Sequence, residues 1–497
     1  MAKKSGFIAR HGLWTDEQYR LAEQIKRSLK KQSIRFVRVV WADPHGYARA
    51  KTLTVPGFLG VLDDGCTTTV ATTTLDASGA RVFSSFVRGG GMGLEEMTGS
   101  PNIVIVPDPA TFRVLPWEPS VGWILGDEYF VSGTPFHFSP RQLLRKKLRQ
   151  LEERGLQSVI GLEVEWYLLR VSEDHFGEEH VGRPGIKGRP IGTYPAEPGF
   201  SLHSESNFDL IQPIISQLGA YLEELKLPLR SIEKEWGPGQ IECTFAPRPA
   251  LQVADDFLLF RTAARQICRR AGYLASFMTM PKLPGFFASG WHLHQSLADR
   301  RTGRNLFAAD VDGEALSPLG RHYLGGLLRY ALPSTIFSNP TVNGYRRFRP
   351  NSLAPDRVSW GTDHRGTMLR VLAGYRDKAS RIENRVGEPP ANPYLYILSQ
   401  LIGGMKGVDE KIDPGQPDTD PYSTEHPMLP KSLSSALSLM QGEPLFATEL
   451  GKIFIDYYVR LKQTEINRFE TYLKDEGIDP AASDITDWEH YEYFDFF

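Results

Sequence analysis

Residues 159–169 read VIGLEVEWYLL. The run is apolar and rich in β-branched and aromatic residues, the composition of a strand. Two charges interrupt it, Glu163 and Glu165. Side chains two apart on a strand leave the same face. Two carboxylates therefore share one face of an otherwise apolar strand, where they repel unless something positive lies between them. An edge strand with one face in water would also accommodate a lone Glu-x-Glu. The other remedy is a divalent cation, and the rest of the chain repeats the pattern.

Glu235-Trp-Gly-Pro-Gly-Gln-Ile-Glu242 places two more carboxylates on either side of a tight turn. His292-Leu293-His294 puts two imidazoles on one strand face, and Arg381-Ile382-Glu383-Asn384-Arg385 alternates charge in a strand-like stretch. Together these form an oxygen-dominated ligand set with one or two imidazoles, which suits Mg²⁺ or Mn²⁺ rather than structural zinc. Arg346 and Arg347, Arg365 and Arg370, and Arg381 and Arg385 supply cations nearby. Arginines beside metal-binding carboxylates point to a phosphoryl group held between positive charges. The chain has no G-x-x-x-x-G-K-[ST] loop, so a nucleotide would not be held in the P-loop manner. The glycine-rich 89–93 run reads as a flexible turn.

Outward from these motifs, a length of 497 residues implies more than one folding unit. Hydrophobic residues at 41% and charged residues at 23% exclude a disordered chain. A net charge of −2 gives no basic excess for nucleic acid and no polybasic run for an anionic membrane. No apolar stretch reaches the ~18 residues of a transmembrane helix. The N-terminus, Met-Ala-Lys-Lys-Ser-Gly, lacks the apolar core of a signal peptide. Cys66, Cys243 and Cys268 form no CxxC pair, and they fit a reducing compartment. A cytoplasmic enzyme is expected.

Residues 15–31 carry the spacing of an amphipathic helix, with Leu21, Ile25 and Leu29 four apart. Strands are expected at 34–42, 52–55, 67–75, 102–106 and 121–125. Near residue 137 the pattern changes. Ser139-Pro140 opens a helix to about Glu153, and Asn392-Pro393 repeats the cap-plus-proline signal. Further strands are expected at 157–169, 230–236, 240–245, 273–280, 291–297, 367–373 and 380–386. Further helices are expected at 207–226, 250–271, 317–331, 392–405 and 444–475. Long loops are expected at 171–200 and 408–430. The order is α+β rather than a regular βαβ winding.

In sequence order the motifs resemble those of the glutamine synthetase family: D-x-x-G at Asp43, E-x-E, E-x-G-P-G-Q-x-E, M-P-K, S-G-x-H-x-H-Q-S-L, N-P-T-V-N-x-Y-x-R, R-x-x-x-x-R, R-I-E-x-R and A-N-P-Y. The resemblance implies an N-terminal helical segment (1–32), a β-grasp domain (33–136) and a catalytic domain on a curved antiparallel sheet (137–497). It implies double rings, usually dodecamers, with active sites between subunits. It also implies two-step chemistry: glutamate takes the γ-phosphoryl of ATP, and an amine then displaces phosphate from γ-glutamyl phosphate. Two or three divalent cations per site are implied. Glu165, Glu235 and Glu242 would hold the one nearest glutamate, and Glu163, His292 and Glu383 the one nearest the phosphates. Arg365, Arg370 and Arg385 would steady the phosphoryl group, and Arg347 would bind the α-carboxylate of glutamate. His294, Ser296, Lys378 and Arg381 match nucleotide-side positions. A neighbouring subunit's copy of Asp43 would accept the amine's proton.

Two departures fall at the amine end. Ammonia-using members carry a glutamate in the flap P-G-x-E-A-P, whereas this chain reads Pro350-Asn-Ser-Leu353-Ala-Pro355. The family's Asn-Gly before S-G-x-H is replaced by Phe287-Ala288, with Phe286 and Trp291 adding aromatic bulk. A leucine neither attracts ammonium nor takes a proton. An apolar wall favours an amine with an apolar body, and an arylamine is already neutral at pH 7. The chain therefore resembles the γ-glutamylamide synthetase branch, with a hydrophobic or aromatic amine such as aniline. An ordinary ammonia-using enzyme and a non-catalytic structural relative are the alternatives. The adenylylation motif of regulated members is absent, and Tyr422 in DPYSTEHP is not expected to be modified.

Overall fold

The computed structural model describes residues 6–31, 33–350, 352–422, 426–482 and 484–497. Met1–Ser5 of the signal-peptide reading, Asn351 of the flap and residues 423–425 beside Tyr422 lie outside the described residues. The helix Asp16–Lys31 buries Ala22, Ile25 and Leu29, with Asp16 and Glu17 in its first turn and Lys30 and Lys31 in its last, the charge order its dipole favours.

The N-terminal strands are β1 (Phe36–Ala42), β2 (Ala48–Thr54), β3 (Cys66–Thr69), β4 (Asn102–Pro107), β5 (Arg113–Leu115) and β6 (Glu118–Phe130). They form a sheet of order β2-β1-β6-β4-β3, with β5 on β6. β1 runs parallel to β6, while the other pairs are antiparallel. A helix, Val55–Asp64, lies against β1, β2 and β4. The sequence reading has no helix there and ends a strand at residue 55. Thr54 instead caps the helix by accepting from the Gly57 amide, with proline in the first turn, and Gly65 at φ 72° ends it. The strand expected over 67–75 stops at Thr69, where a 3₁₀ turn (Val70–Thr73) takes over.

The larger sheet comprises β7 (Leu156–Val171), β8 (Thr193–Pro195), β9 (Leu229–Lys234), β10 (Gln240–Pro249), β11 (Tyr273–Ser276), β12 (Trp291–Asp299), β13 (Trp360–Thr362), β14 (Leu369–Leu372) and β15 (Arg381–Gly387). Its order is β13-β14-β15-β12-β7-β10-β9, with β8 and β11 also on β7. All pairs are antiparallel except β13–β14 at the edge. β7 is long and central, and its alternation divides the molecule. Ile160, Leu162, Val164, Trp166 and Leu168 are buried on one face, against the helices Pro140–Glu153 and Ala250–Arg270. Each such side chain contributes roughly 1.5–3 kcal/mol of burial. The opposite face carries Gly161, Glu163, Glu165 and Tyr167.

Several expected helices are divided. The 207–226 helix is Glu205–Asp209 plus Gln212–Glu224. The 444–475 helix breaks at Gly451, whose φ is 91°. A buried ionic cluster joins the two sheets. Arg141 reaches Asp108 (2.9 Å), Asp127 (2.7 Å) and Asp255 (2.7 Å), and Arg145 adds to Asp108 and Asp127. Burial raises the Asp108 pKa, but Arg141 and Arg145 outweigh it and hold the carboxyl well below its usual range.

Candidate active site

Register brings the charged motifs together. Glu163 on β7 pairs with His292 on β12 and Thr244 on β10, Glu165 pairs with Glu242, and His294 pairs with Glu383 on β15. Period-two alternation places all of these side chains on the sheet face opposite the helices. Glu163 Oε1 lies 2.5 Å from His292 Nδ1, and its Oε2 lies 3.1 Å from His294 Nε2. His292 also approaches Glu383 (3.7 Å) and Glu165 (4.0 Å). Glu383, wholly buried, accepts from Arg385 (2.6 Å) and Arg370 (3.1 Å). Gln240 and the Gly290 amide both donate to Glu165. A Cβ at Gly290 would sit 2.7 Å from Arg347 Nη2 and 3.1 Å from His292 Nε2, so a larger residue there would push the Arg347 guanidinium aside.

The electrostatics are those of a cation site. Burial, and then the charge of Glu235, pushes Glu165 up to about 8. Burial, followed by the charges of Glu163, Glu165 and Glu235, pushes Glu242 up to about 10. Burial raises Glu235 as well. Burial, then Arg385, lowers His292 and favours the neutral imidazole that a metal needs. Ligand atoms of Glu163, Glu242 and His292 lie within 4.8 Å of one another, as do those of Glu163, His294 and Glu383. Glu163 falls in both groups, because β7 lies between β10 and β12, and His294 stands beside Glu163 and Glu383. The donor set is carboxylate-rich, with Glu242, His292 and Glu383 buried and Glu163, Glu165, Glu235 and His294 half-buried, and it fits hard divalent cations.

Two cavities meet at this cluster. One, of about 770 Å³, is lined by Glu163, His294, Ser296, Arg365, Arg370, Lys378 and Arg381. The other, of about 760 Å³, is lined by Glu163, Glu165, Glu235, Glu242, His292, Phe287, Ala288, Arg347, Leu353, Arg365, Arg370 and Arg385. Glu163, Arg365 and Arg370 border both. The expected nucleotide-side and substrate-side residues thus separate into two chambers with a common wall. Arg347 is buried and donates to the Val386 and Gly387 carbonyls.

Two expected residues stand elsewhere. Asp43 is a turn residue. Its side chain is 0% exposed and bonds Arg49, and it also accepts from the His45 and Tyr47 amides. Three donors occupy a carboxylate with about four acceptor sites, so one lone pair stays open. The D-x-x-G motif builds the β1–β2 hairpin. Trp291 is odd-numbered on β12, so it faces the helices, with its ring 4.3 Å from Phe257 and 5.0 Å from Tyr396. It does not line the 760 Å³ cavity. Phe286 likewise packs on Tyr167.

The sequence reading also passed over contributors. Tyr167 shares the Glu163–Glu165 face and accepts from the Phe287 amide at 3.0 Å, fixing that segment. Its position two residues beyond Glu165 was the available signal. Trp236 and Gln240 sit inside the quoted E-x-G-P-G-Q-x-E motif, whereas Leu202 and His203 line the same cavity from a stretch with no motif.

Residues 137–479 match the family model described as glutamine synthetase, catalytic domain. A gamma-glutamylanilide synthase from Acinetobacter sp is 41% identical over 99% of this chain and 99% of its own. A glutamate–isopropylamine ligase from Pseudomonas sp is 28% identical over 80% of this chain and 82% of its own. The solved structure of apo GmaS without ligand matches with a TM-score of 0.73 at 26% identity, covering 89% of this chain and 95% of that one.

Proposed function

This chain belongs to the glutamine synthetase family and is an ATP-dependent carboxylate–amine ligase, and from that premise we propose that it joins the γ-carboxylate of glutamate to a hydrophobic or aromatic amine, aniline in type. The observation that carries the amine class is the composition of the 760 Å³ cavity around Glu235, where Leu353, Phe287 and Trp236 stand together. The name of the Acinetobacter relative supports the same reading.

In this reading ATP occupies the chamber of Ser296, Lys378 and Arg381, and glutamate the chamber of Arg347 and Glu165. The shared wall is where the phosphoryl group crosses. A γ-carboxylate oxygen attacks the terminal phosphorus, the bond to ADP breaks, and γ-glutamyl phosphate forms. Arg365, Arg370 and Arg385 balance charge on the group in transit. Mg²⁺ or Mn²⁺, held by Glu163, Glu165, Glu235, Glu242, His292 and Glu383 with His294 beside them, would supply Lewis acidity and align the phosphates. The amine nitrogen then attacks the acyl carbon, phosphate leaves, and the nitrogen's proton passes to a neighbouring subunit's copy of Asp43. A neutral arylamine needs no carboxylate to hold it as a cation, which accounts for a leucine where ammonia users carry glutamate.

Full-length correspondence with family members supports the homo-oligomeric ring, the domain division at residues 32 and 136 and a cytoplasmic setting as parts of the same proposal. The test is ADP release with glutamate across a panel of amines, with products identified by mass. A γ-glutamyl arylamide formed at higher kcat/KM than glutamine is expected. Preference for ammonia would return the chain to ordinary glutamine synthesis, and silence across the panel would favour a structural role.

A further inference from the structure

Phe200, Trp236 and Phe287 come from three separate segments and meet at the mouth of the cavity. Their ring centroids are 6.2, 5.9 and 6.4 Å apart, with interplanar angles of 79°, 74° and 88°. These are edge-to-face contacts, the arrangement that the aromatic quadrupole favours. Yet the rings are not core. They are 54%, 40% and 41% exposed, and Leu353 and Leu202 beside the same opening are 80% and 49% exposed. Apolar surface gathered at one opening marks a place where something apolar binds.

The rings are held in place by the backbone beneath them. The Phe200 amide donates to the Trp236 carbonyl at 2.8 Å, and the His203 amide to the Lys234 carbonyl at 3.2 Å. Phe200 and His203 adopt φ of 65° and 55°, a left-handed backbone that non-glycine residues seldom take. Lys234, fully buried, donates to the carbonyls of Glu235 and Gly237 and pairs with Glu197 at 3.2 Å. Glu197 in turn accepts from the Gly239 amide at 2.6 Å. Tyr167 holds the Phe287 backbone from below. The turn that presents Glu235 to the metal face thus also presents Trp236 to the opening.

We propose that the Phe200–Trp236–Phe287 lip binds the ring of an aromatic amine and so sets the amine class. This rests on the ligase reading above. The occupant is argued from continuity: Trp236 and Phe287 line the same cavity as Glu165 and Glu235, so a ring seated on them has its amino group at the carboxylate-lined floor. Preorganised rings contribute binding with little ordering cost.

The experiment measures kcat/KM for aniline and for hydroxylamine, a small amine with no ring, in wild type and in Trp236→Ala, Phe200→Ala and Trp236→Phe. The aniline-to-hydroxylamine ratio should fall about ten- to a hundredfold in both alanine variants, and Trp236→Phe should recover most of it. A ratio unchanged within about twofold, whatever the absolute rates, overturns the lip as the ring site. So does an unchanged ratio accompanied by altered oligomer mass, which would make the lip a contact between copies of this chain. Wild type that turns over hydroxylamine while the ratio stays flat sinks the lip alone. Wild type silent with both amines sinks the ligase reading itself.

Discussion

Glu163 and His292 face each other across β7 and β12 with Oε1 2.5 Å from Nδ1, and the second oxygen of the same carboxylate reaches His294. One side chain therefore touches both ligand groups and the wall between the two chambers. Glu163→Gln keeps the shape and removes the charge. ADP release should drop by at least about a hundredfold, equally for every amine, because phosphoryl transfer precedes amine choice. A variant that lost activity with one amine and kept it with another would place Glu163 in amine selection instead.

The clustered carboxylates set a pH dependence for the metal-free protein. Glu165 and Glu242 hold their protons to about 8 and about 10 in the folded state, against 4.5 for the free side chain. Above pH 4.5 the unfolded chain releases these protons while the folded chain still binds them. This contribution is therefore fully present below about pH 4.5 and is lost as pH rises toward 8–10. With chelator present, Tm should decline from pH 5 to pH 9. Added Mg²⁺ should raise it by an amount that grows with pH, since binding a cation requires the deprotonated ligands. Thermal scans with and without Mg²⁺ check both slopes, and a metal effect independent of pH would contradict the assignment.

Arg141 is the buried link between the two sheets, 3% exposed at its side chain and within 2.9 Å of Asp108, Asp127 and Asp255. Arg141→Ala removes the ion pair of Asp255 and leaves Asp108 and Asp127 with Arg145 alone. A loss of about 3–5 kcal/mol is expected, read as a lowered denaturant midpoint. Arg154→Ala, which removes an exposed pair with Asp409, should cost less than about 1 kcal/mol and serves as the comparison.

Leu353 is 80% exposed and holds φ at 63°, beside the cavity that also contains Phe287. Leu353→Glu restores the carboxylate of ammonia-using relatives. It should raise kcat/KM for ammonia roughly tenfold, by a charge-assisted hydrogen bond to ammonium, and lower it for arylamines. Measuring both amines in both proteins gives the ratio, and an unchanged ratio would show that the flap does not choose the amine.

The sequence determined the reactive surface wherever chemistry followed strand periodicity. Glu163 and Glu165, His292 and His294, and Glu383 with Arg385 were legible because residues two apart on a strand share a face, and buried like charges need a counter-ion. The same periodicity, applied to Trp291, places it on the helix face, although it lies close in sequence to Phe287-Ala288. A D-x-x-G motif does not reveal how far its carboxylate is engaged in closing its own turn. The structure shows three donors closing the turn. What the tertiary structure alone decided is which strands are neighbours. β7 lies between β10 and β12, so Glu163 serves both ligand groups and borders both chambers. Phe200 reaches Trp236 and Phe287 through loops whose left-handed residues and buried Lys234–Glu197 pair have no local signature. Pairing between distant segments is fixed by burial and backbone hydrogen bonding over the folded chain, and no short window of sequence contains that information.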